Sequence, residues 1–245
     1  MGTADRRPLA VLVLGVGLAL SSCAADLPRR APAEPAERPR PTAQPTSANQ
    51  RPPADRAPTP TLAGRNSSDG RPARALLTIP TLGIENLPVV PYLGRTDDAP
   101  GTRIQNRGLA ASPHGPDGGV GPGGVGNYQV TAHRLSSTQA FRYLPGLAHD
   151  SLVVVKSHGA RYVYRIVTTR KTSFRSPRSL REQRAAVPGK PGVRPTRAMI
   201  TLSTCATIED HAVGNYWADE FDNPEHRFDK IGVLVRSSVP SDQTD

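Results

Sequence analysis

Aromatic residues make up only 4% of this 245-residue chain, with a single Trp. Cysteine is nearly absent too, since Cys23 and Cys205 are the whole complement. Two cysteines exclude a disulfide-built scaffold and any cysteine-rich zinc module. No apolar run reaches the roughly 18 to 20 residues that a transmembrane helix needs, which excludes a conventional membrane-spanning helix. Lysine is scarce, so the basic charge is carried almost entirely by arginine. Against these shortages stand 26 Pro and 22 Gly, with 36% hydrophobic residues. A chain so poor in aromatics and so rich in proline cannot form one continuous core, and part of it is expected to stay unstructured. The length allows one or two domains.

The N-terminus reads as an address rather than as fold. Arg6 and Arg7 supply positive charge, and Leu9 to Leu20 is an apolar and glycine stretch of 12 residues. That lies within the ~7 to 15 residues of an export-signal core. Leu20-Ser21-Ser22-Cys23 then resembles the bacterial lipobox, in which the cysteine thiol takes a diacylglycerol and becomes the new N-terminus. The thiol must sit at the cleavage point, behind side chains small enough to enter the peptidase. An ordinary secretory signal is the alternative. Residues 1–22 are thus expected to be a lipoprotein signal peptide and Cys23 the lipidation site. The mature protein then lies outside the cell membrane, lipid-anchored on its outer face or secreted, and two acyl chains make such an anchor stable. Residues 23–74 carry eleven prolines without apolar periodicity, the composition of a disordered, semi-rigid spacer.

Charge is unevenly spread. Residues 161–197 hold 11 basic residues against Glu182 alone, whereas 198–245 hold 3 basic and 9 acidic. The net +10 therefore belongs to a dipolar domain. Nucleic-acid binding would want a basic face with stacking aromatics, so no nucleic-acid partner is expected. An anionic wall polymer, or the acidic segment of the same domain, is the expected partner of 161–197.

From residue 75 the pattern is one of short strands: 75–80, 84–90, 127–133, 151–156, 161–169, 198–204 and 230–235. Ser157-His158-Gly159-Ala160 reads as a hairpin turn, and helices are expected over 138–147 and 178–186. Strands at this density make a mainly β fold, a closed or partly closed barrel. The glycine-rich run 115–126 lacks the lysine and strand context of a phosphate loop and reads as a flexible loop or lid.

Cys205 ends an apolar β run and is the one thiol of the domain. A nucleophilic thiol needs a base or a cation nearby. Of the six histidines, His133 ends a strand and is followed by Arg134, whereas His114, His149 and His158 fall in expected loops, His211 lies close after Cys205 and His226 in a polar stretch. His133 precedes Cys205 by 72 residues, a histidine-first order opposite to papain-like enzymes.

Thr201-Leu202-Ser203-Thr204-Cys205 resembles the T-L-x-T-C signature of sortases, the cysteine transpeptidases of Gram-positive surfaces. Gly126 to Arg134 resembles the sortase strand that ends in the catalytic histidine, and Ile79-Pro80-Thr81-Leu82-Gly83-Ile84 its opening strand pair. The T-L-S-T-C form and the arginine-rich composition are similar to actinobacterial, class E-like members. The resemblance implies a sortase-type closed barrel of about eight strands with one or two short helices over 75–237, and a disordered tail over 238–245. It implies that Cys205 cleaves an LPXTG- or LAXTG-type sorting signal between Thr and Gly through a thioacyl-enzyme. His133 would be the acid and base, and Arg227 the cation at the reacting carbonyl. Lys230 is the other candidate for that cation; it matches the spacing better but lacks the guanidinium fork. Thr204 and Ala132, the latter standing where the family usually has Gly, would contact substrate. The partners implied are sorting-signal peptides of surface proteins, an amine from a peptidoglycan precursor or a pilin lysine, and the membrane through the anchor. No cofactor or metal is implied, and the carboxylates between Cys205 and Arg227 show no calcium-ligand spacing. The contrasting reading is a non-catalytic surface lipoprotein that binds anionic wall polymer.

Overall fold

A computed structural model describes residues 68–238; the signal segment, Cys23, most of the spacer and the last seven residues lie outside that range. Eight strands close into a barrel in the order β1-β2-β3-β4-β7-β8-β6-β5. They are β1 (Ala75–Ile79), β2 (Ile84–Leu93), β3 (Ala110–His114), β4 (Gly126–Thr131), β5 (Leu152–Ser157), β6 (Ala160–Ser173), β7 (Ala198–Cys205) and β8 (His226–Ser238). Three helices accompany them, α1 (Ala99–Gln105), α2 (Pro177–Arg184) and α3 (Thr207–Ala212). Pairings are antiparallel except β2 with β3 and β4 with β7.

Alternation along the strands builds the interior. Leu77, Ile79, Tyr128, Val130, Val153, Val155, Tyr164, Ile166, Ile200 and Leu202 fill it, and Phe141, Leu144 and Leu147 pack into the same core. The β5–β6 turn has left-handed φ at both His158 (48°) and Gly159 (75°), the backbone that matches a two-residue hairpin to strand twist. Strand β4 is buried along its whole length, although Asn127, Gln129 and Thr131 are polar. At the start of the strand α2 covers Asn127, whose amide donates to the Gln183 and Ala185 carbonyls at 3.1 and 3.2 Å. The last turn of α2 is thereby capped by the sheet it covers.

Several expectations are corrected. Residues 138–147 form turns and a short 3-10 segment at Leu144–Gly146 rather than a helix, with Ser137 and Gln139 at positive φ and Pro145 inside the segment. The helices number three, not one or two, and β8 starts four residues before its expected boundary. Residues 68–74, read as spacer, belong to the packed domain: Ser68 Oγ donates to the Pro122 carbonyl and Gly121 N–H to the Gly70 carbonyl. A Cβ on Gly121 would overlap the Arg71 carbonyl, so glycine is required for this close approach. The glycine-rich run is thus pinned at the start of β4, the end of that strand away from His133, and is no lid over the histidine.

Candidate active site

Strands β4, β7 and β8 lie side by side, and their register decides what meets at the rim. Thr131 pairs with Ser203, and Cys205 pairs with Arg227. Beyond that last β4 pair the Ala132 N–H still donates to the Ser203 carbonyl at 3.3 Å, so His133 leaves the sheet at the same end at which Cys205 closes β7. Ordinary strand alternation thus gathers the three residues expected to be catalytic, 72 and 22 positions apart in sequence, onto one rim.

Arg227 is fully buried. Its Nε donates to Asp97 Oδ2 at 3.0 Å, and its Nη1 to the Pro224 and His226 carbonyls. The guanidinium lies 4.1 Å from the centroid of the Phe174 ring, a favourable cation–π stack. Nη2 is buried and has no hydrogen-bond partner among the described residues. A desolvated cation with one face, one edge and one nitrogen committed keeps one fixed nitrogen, with its two N–H groups, free. Asp97 Oδ1 accepts from the Gln105 amide at 3.2 Å, which ties the ion pair to α1. Lys230 is elsewhere: it pairs with Leu202 in the ladder, and its ammonium donates to the Leu147 carbonyl at 2.7 Å and to Thr169 Oγ1 at 3.1 Å. Both of those contacts lie away from the Cys205 rim.

Burial pushes the Cys205 thiol above its ordinary pKa; Asp97 and Asp219 add to the rise, while Arg227 and Arg134 oppose it. Burial also pushes the His133 imidazole down, with Asp97 opposing and Arg227 assisting. Both groups therefore feel the same Asp97–Arg227 pair, and their shifts favour a neutral thiol and a neutral imidazole. The thiol makes one long contact, to Asn223 Oδ1 at 3.9 Å. His133 Nε2 lies 2.7 Å from Asn106 Oδ1 at the end of α1.

Arg134 locks the rim. It forms a two-pronged pair with Glu209 on α3, 2.9 Å for Nη2 to Oε1, and its Nη1 donates to the Cys205 carbonyl at 3.2 Å. The residues that follow the histidine and the cysteine are thus tied to each other. Beneath lies a buried polar floor. Asp229 accepts from Ser203 Oγ, Thr172 Oγ1 and the Gln183 amide, and Thr96, next to Asp97, donates to Gln183 Oε1 at 2.9 Å. Burial holds the Asp229 carboxyl above its ordinary pKa, against the hydrogen bonds that lower it.

Thr204 and Ala132, expected to contact substrate, are both buried, and Thr204 Oγ1 donates to the Ala132 carbonyl at 2.8 Å. They fasten β7 to the histidine segment, because the residue before an outward-facing Cys205 points inward. Asp210 is buried and binds His226 Nδ1 at 2.9 Å and Lys171 Nζ at 3.1 Å, while Glu209 is partly exposed and paired with Arg134. Among the described residues no group of three or more His, Cys, Asp or Glu could hold a metal ion. Sequence reasoning missed Asp97, Asn106, Phe174 and Asn223. Only the first left a signal, since Asp97-Asp98-Ala99-Pro100 reads as a helix start with proline in the first turn. Asp98 is indeed the N-cap of α1, accepting from Gly101 N.

A family model described as Sortase domain matches residues 77–217. Among solved structures, the chain is similar to the SrtA sortase from Actinomyces oris, at 18% identity and a TM-score of 0.51, over 70% of this chain and 89% of that one. It is similar to sortase E1 from Streptomyces coelicolor, whose structure has a tripeptide in the active site, at 22% identity and a TM-score of 0.51, over 71% and 94% of the two chains. The SrtF sortase from Corynebacterium diphtheriae matches at 16% identity and a TM-score of 0.50, over 71% and 89%. At these identities the likeness is one of fold. No curated protein matches the chain.

Proposed function

Because the chain belongs to the sortase family, and is thus a sortase cysteine transpeptidase, we propose that Cys205, His133 and Arg227 perform the transfer at the β4–β7–β8 rim. The observation that carries this assignment is the free, buried Nη2 of Arg227 on the residue paired with Cys205. Cys205 Sγ attacks the threonine carbonyl of an LPXTG- or LAXTG-type signal as its proton passes to His133. Charge develops on the carbonyl oxygen, where Arg227 Nη2 donates; a donor fixed in place before the reaction is worth about 2.7 to 4 kcal/mol. His133 returns the proton to the departing glycine amine, leaving a thioacyl-enzyme. An incoming amine then gives its proton to His133 and displaces the thiol, which is reprotonated. The acceptor in this reading is a peptidoglycan-precursor amine or a pilin lysine.

The T-L-S-T-C form and the arginine-rich composition support a class E-like, actinobacterial assignment. The signal-like segment ending at Cys23 supports export and a lipid anchor, which would hold the domain at the outer face of the membrane. The test is cleavage of quenched fluorescent LPXTG and LAXTG peptides by the full chain carrying Cys23→Ser, so that Cys205 is the one thiol. Cys205-dependent cleavage with an amide product when an amine is added is the expected result. Cleavage that survives Cys205→Ala would sink the assignment.

A further inference from the structure

Of the 11 basic residues between 161 and 197, five form ion pairs with four carboxylates of the domain. Arg165 pairs with Asp150, Arg170 and Arg178 share Glu182, Lys171 pairs with Asp210 and Arg175 with Glu225. The acidic C-terminal segment thus accounts for part of the basic stretch, as the charge pattern suggested. Arg181 and Arg184 on α2 make no ion pair among the described residues. They line a cavity of about 420 Å³ whose other walls include Pro116, Asp117, Pro177 and Leu180.

Two features give this cavity a direction. Leu180 and Arg184 stand four apart, on one face of α2, and both also line a second cavity of about 470 Å³ that includes Asp97 and Phe174. Those are the two side chains that hold the Arg227 guanidinium. The α2 face therefore runs from the anchor of the catalytic arginine to the outer cavity. Positive charge is in excess at the outer cavity, where Arg181 and Arg184 face Asp117, whereas the inner cavity sets Arg95 and Arg184 against Asp97, Asp98, Asp219 and Glu220. The Arg184 guanidinium has one hydrogen bond, from Nε to the neutral Thr96 Oγ1 at 3.3 Å. Burial and the nearby Arg95 lower its pKa, with Asp117 and Asp97 opposing. Among the described residues Asp117 is the one carboxylate that lines the outer cavity.

We propose that this cavity is a subsite for an acidic side chain of the peptide substrate, with Arg184 and Arg181 as the specificity-determining residues. The proposal rests on the reading of the rim as a peptide-cleaving site and adds which peptides it favours. Proline and leucine walls around two guanidiniums suit a peptide segment that is part apolar and part acidic. A densely charged polymer would leave those walls unused.

The test uses the full chain with Cys23→Ser and Cys205→Ala, so that binding is read without chemistry. Labelled peptides share one neutral sorting motif and carry a single Glu, Gln or Lys at successive positions on either side of it. Fluorescence anisotropy is expected to find one position where Glu binds about five- to tenfold tighter than Gln, the scale of one partly exposed charge-assisted hydrogen bond, and Lys binds more weakly than Gln. Arg184→Gln should bring the Glu-to-Gln ratio close to one, Arg181→Gln should reduce it in part, and Arg184→Lys should restore some of it. Should a variant fail to fold, the Glu, Gln and Lys ranking with both arginines present still decides. No Glu preference at any position overturns the proposal. So does Arg184-dependent binding of poly(glycerol phosphate) without a positional Glu preference, which would assign the cavity to an anionic polymer. A Glu preference in binding without Cys205-dependent cleavage would refute the transpeptidase assignment and leave the subsite standing; cleavage without the preference would do the reverse.

Discussion

Asp97→Asn isolates the charge that holds the rim. Asp97 sits at φ 57°, a left-handed backbone that asparagine adopts as readily as aspartate and alanine does not. The change therefore keeps shape, backbone and one acceptor for Arg227 Nε, removes the negative charge beside a fully buried guanidinium, and puts an amide NH2 where Oδ1 accepts from Gln105. Deleting one partner of a buried pair costs about 3 to 5 kcal/mol; retaining the acceptor should limit the loss to roughly 1.5 to 3 kcal/mol. For a domain of this size that corresponds to a fall in Tm of about 3 to 12 °C, at roughly 2 to 4 °C per kcal/mol. Function should suffer in its own way, because Arg227 loses the contact that aims Nη2. A fall in kcat/KM of about 10- to 100-fold on a sorting peptide is expected, mostly in kcat, since the affected interaction is made in the transition state. The pH profile supplies a second readout. Asp97 raises both the Cys205 and His133 pKa, so removing its charge moves the acid limb and the alkaline limb of kcat/KM to lower pH together. A folded Asp97→Asn protein with wild-type kcat and unmoved limbs would refute the claim that this carboxylate orients the arginine.

Other perturbations separate chemistry from support. Arg227→Lys should cost about 10²- to 10³-fold in kcat, because a point charge cannot replace the donor at Nη2; wild-type turnover of the peptide by this variant would remove Arg227 from the mechanism. Lys230→Met should lower Tm by a few degrees through the lost bonds to Leu147 and Thr169, yet leave peptide cleavage within about twofold; a large kcat loss would return Lys230 to candidacy. Asp229→Asn tests the polar floor by its pH dependence. A carboxyl whose folded pKa is raised adds stability below its unfolded value, roughly 3.9, and that contribution is lost as pH rises through the folded pKa. The variant should therefore melt a few degrees above wild type at pH 7 and show little gain near pH 3, measured by calorimetry across that range. A gain that grows towards acid would contradict the direction assigned to Asp229.

What could be read in the chain followed from how local each determinant is. Strands β1, β5, β6 and β7 announce themselves by alternation and β-branched residues, and β5–β6 by its turn. β3, Ala-Ala-Ser-Pro-His, has none of these marks. It becomes a strand because β2 offers it a parallel partner from Val89 to Leu93, a long-range condition that no window of sequence contains. The same holds at the rim. Cys205 and His133 carry their own motif residues, whereas what separates Arg227 from Lys230 is register: Cys205 is opposite one, Leu202 opposite the other. Asp97 is fixed by neither motif nor period, since its partner lies 130 residues away.

The buried floor explains why the rim needs so many polar supports. A thiol, an imidazole and a guanidinium must sit out of water to interact strongly, yet each unpaired polar group removed from water costs about 1 to 3 kcal/mol. Here nearly every such group has a partner from a different element: Arg227 with the β2–α1 connection, Arg134 with α3, Asp229 with α2, β6 and β7. Gln183 ties the last of these to Thr96 and so to the neighbour of Asp97. Cutting that single amide should therefore loosen the arginine without touching it. In Gln183→Met, which fills similar volume, the free energy of coupling to Asp97→Asn should differ from zero by about 0.5 kcal/mol or more in a double-mutant cycle on kcat. Strict additivity would show that the floor supports the fold and not the reacting groups.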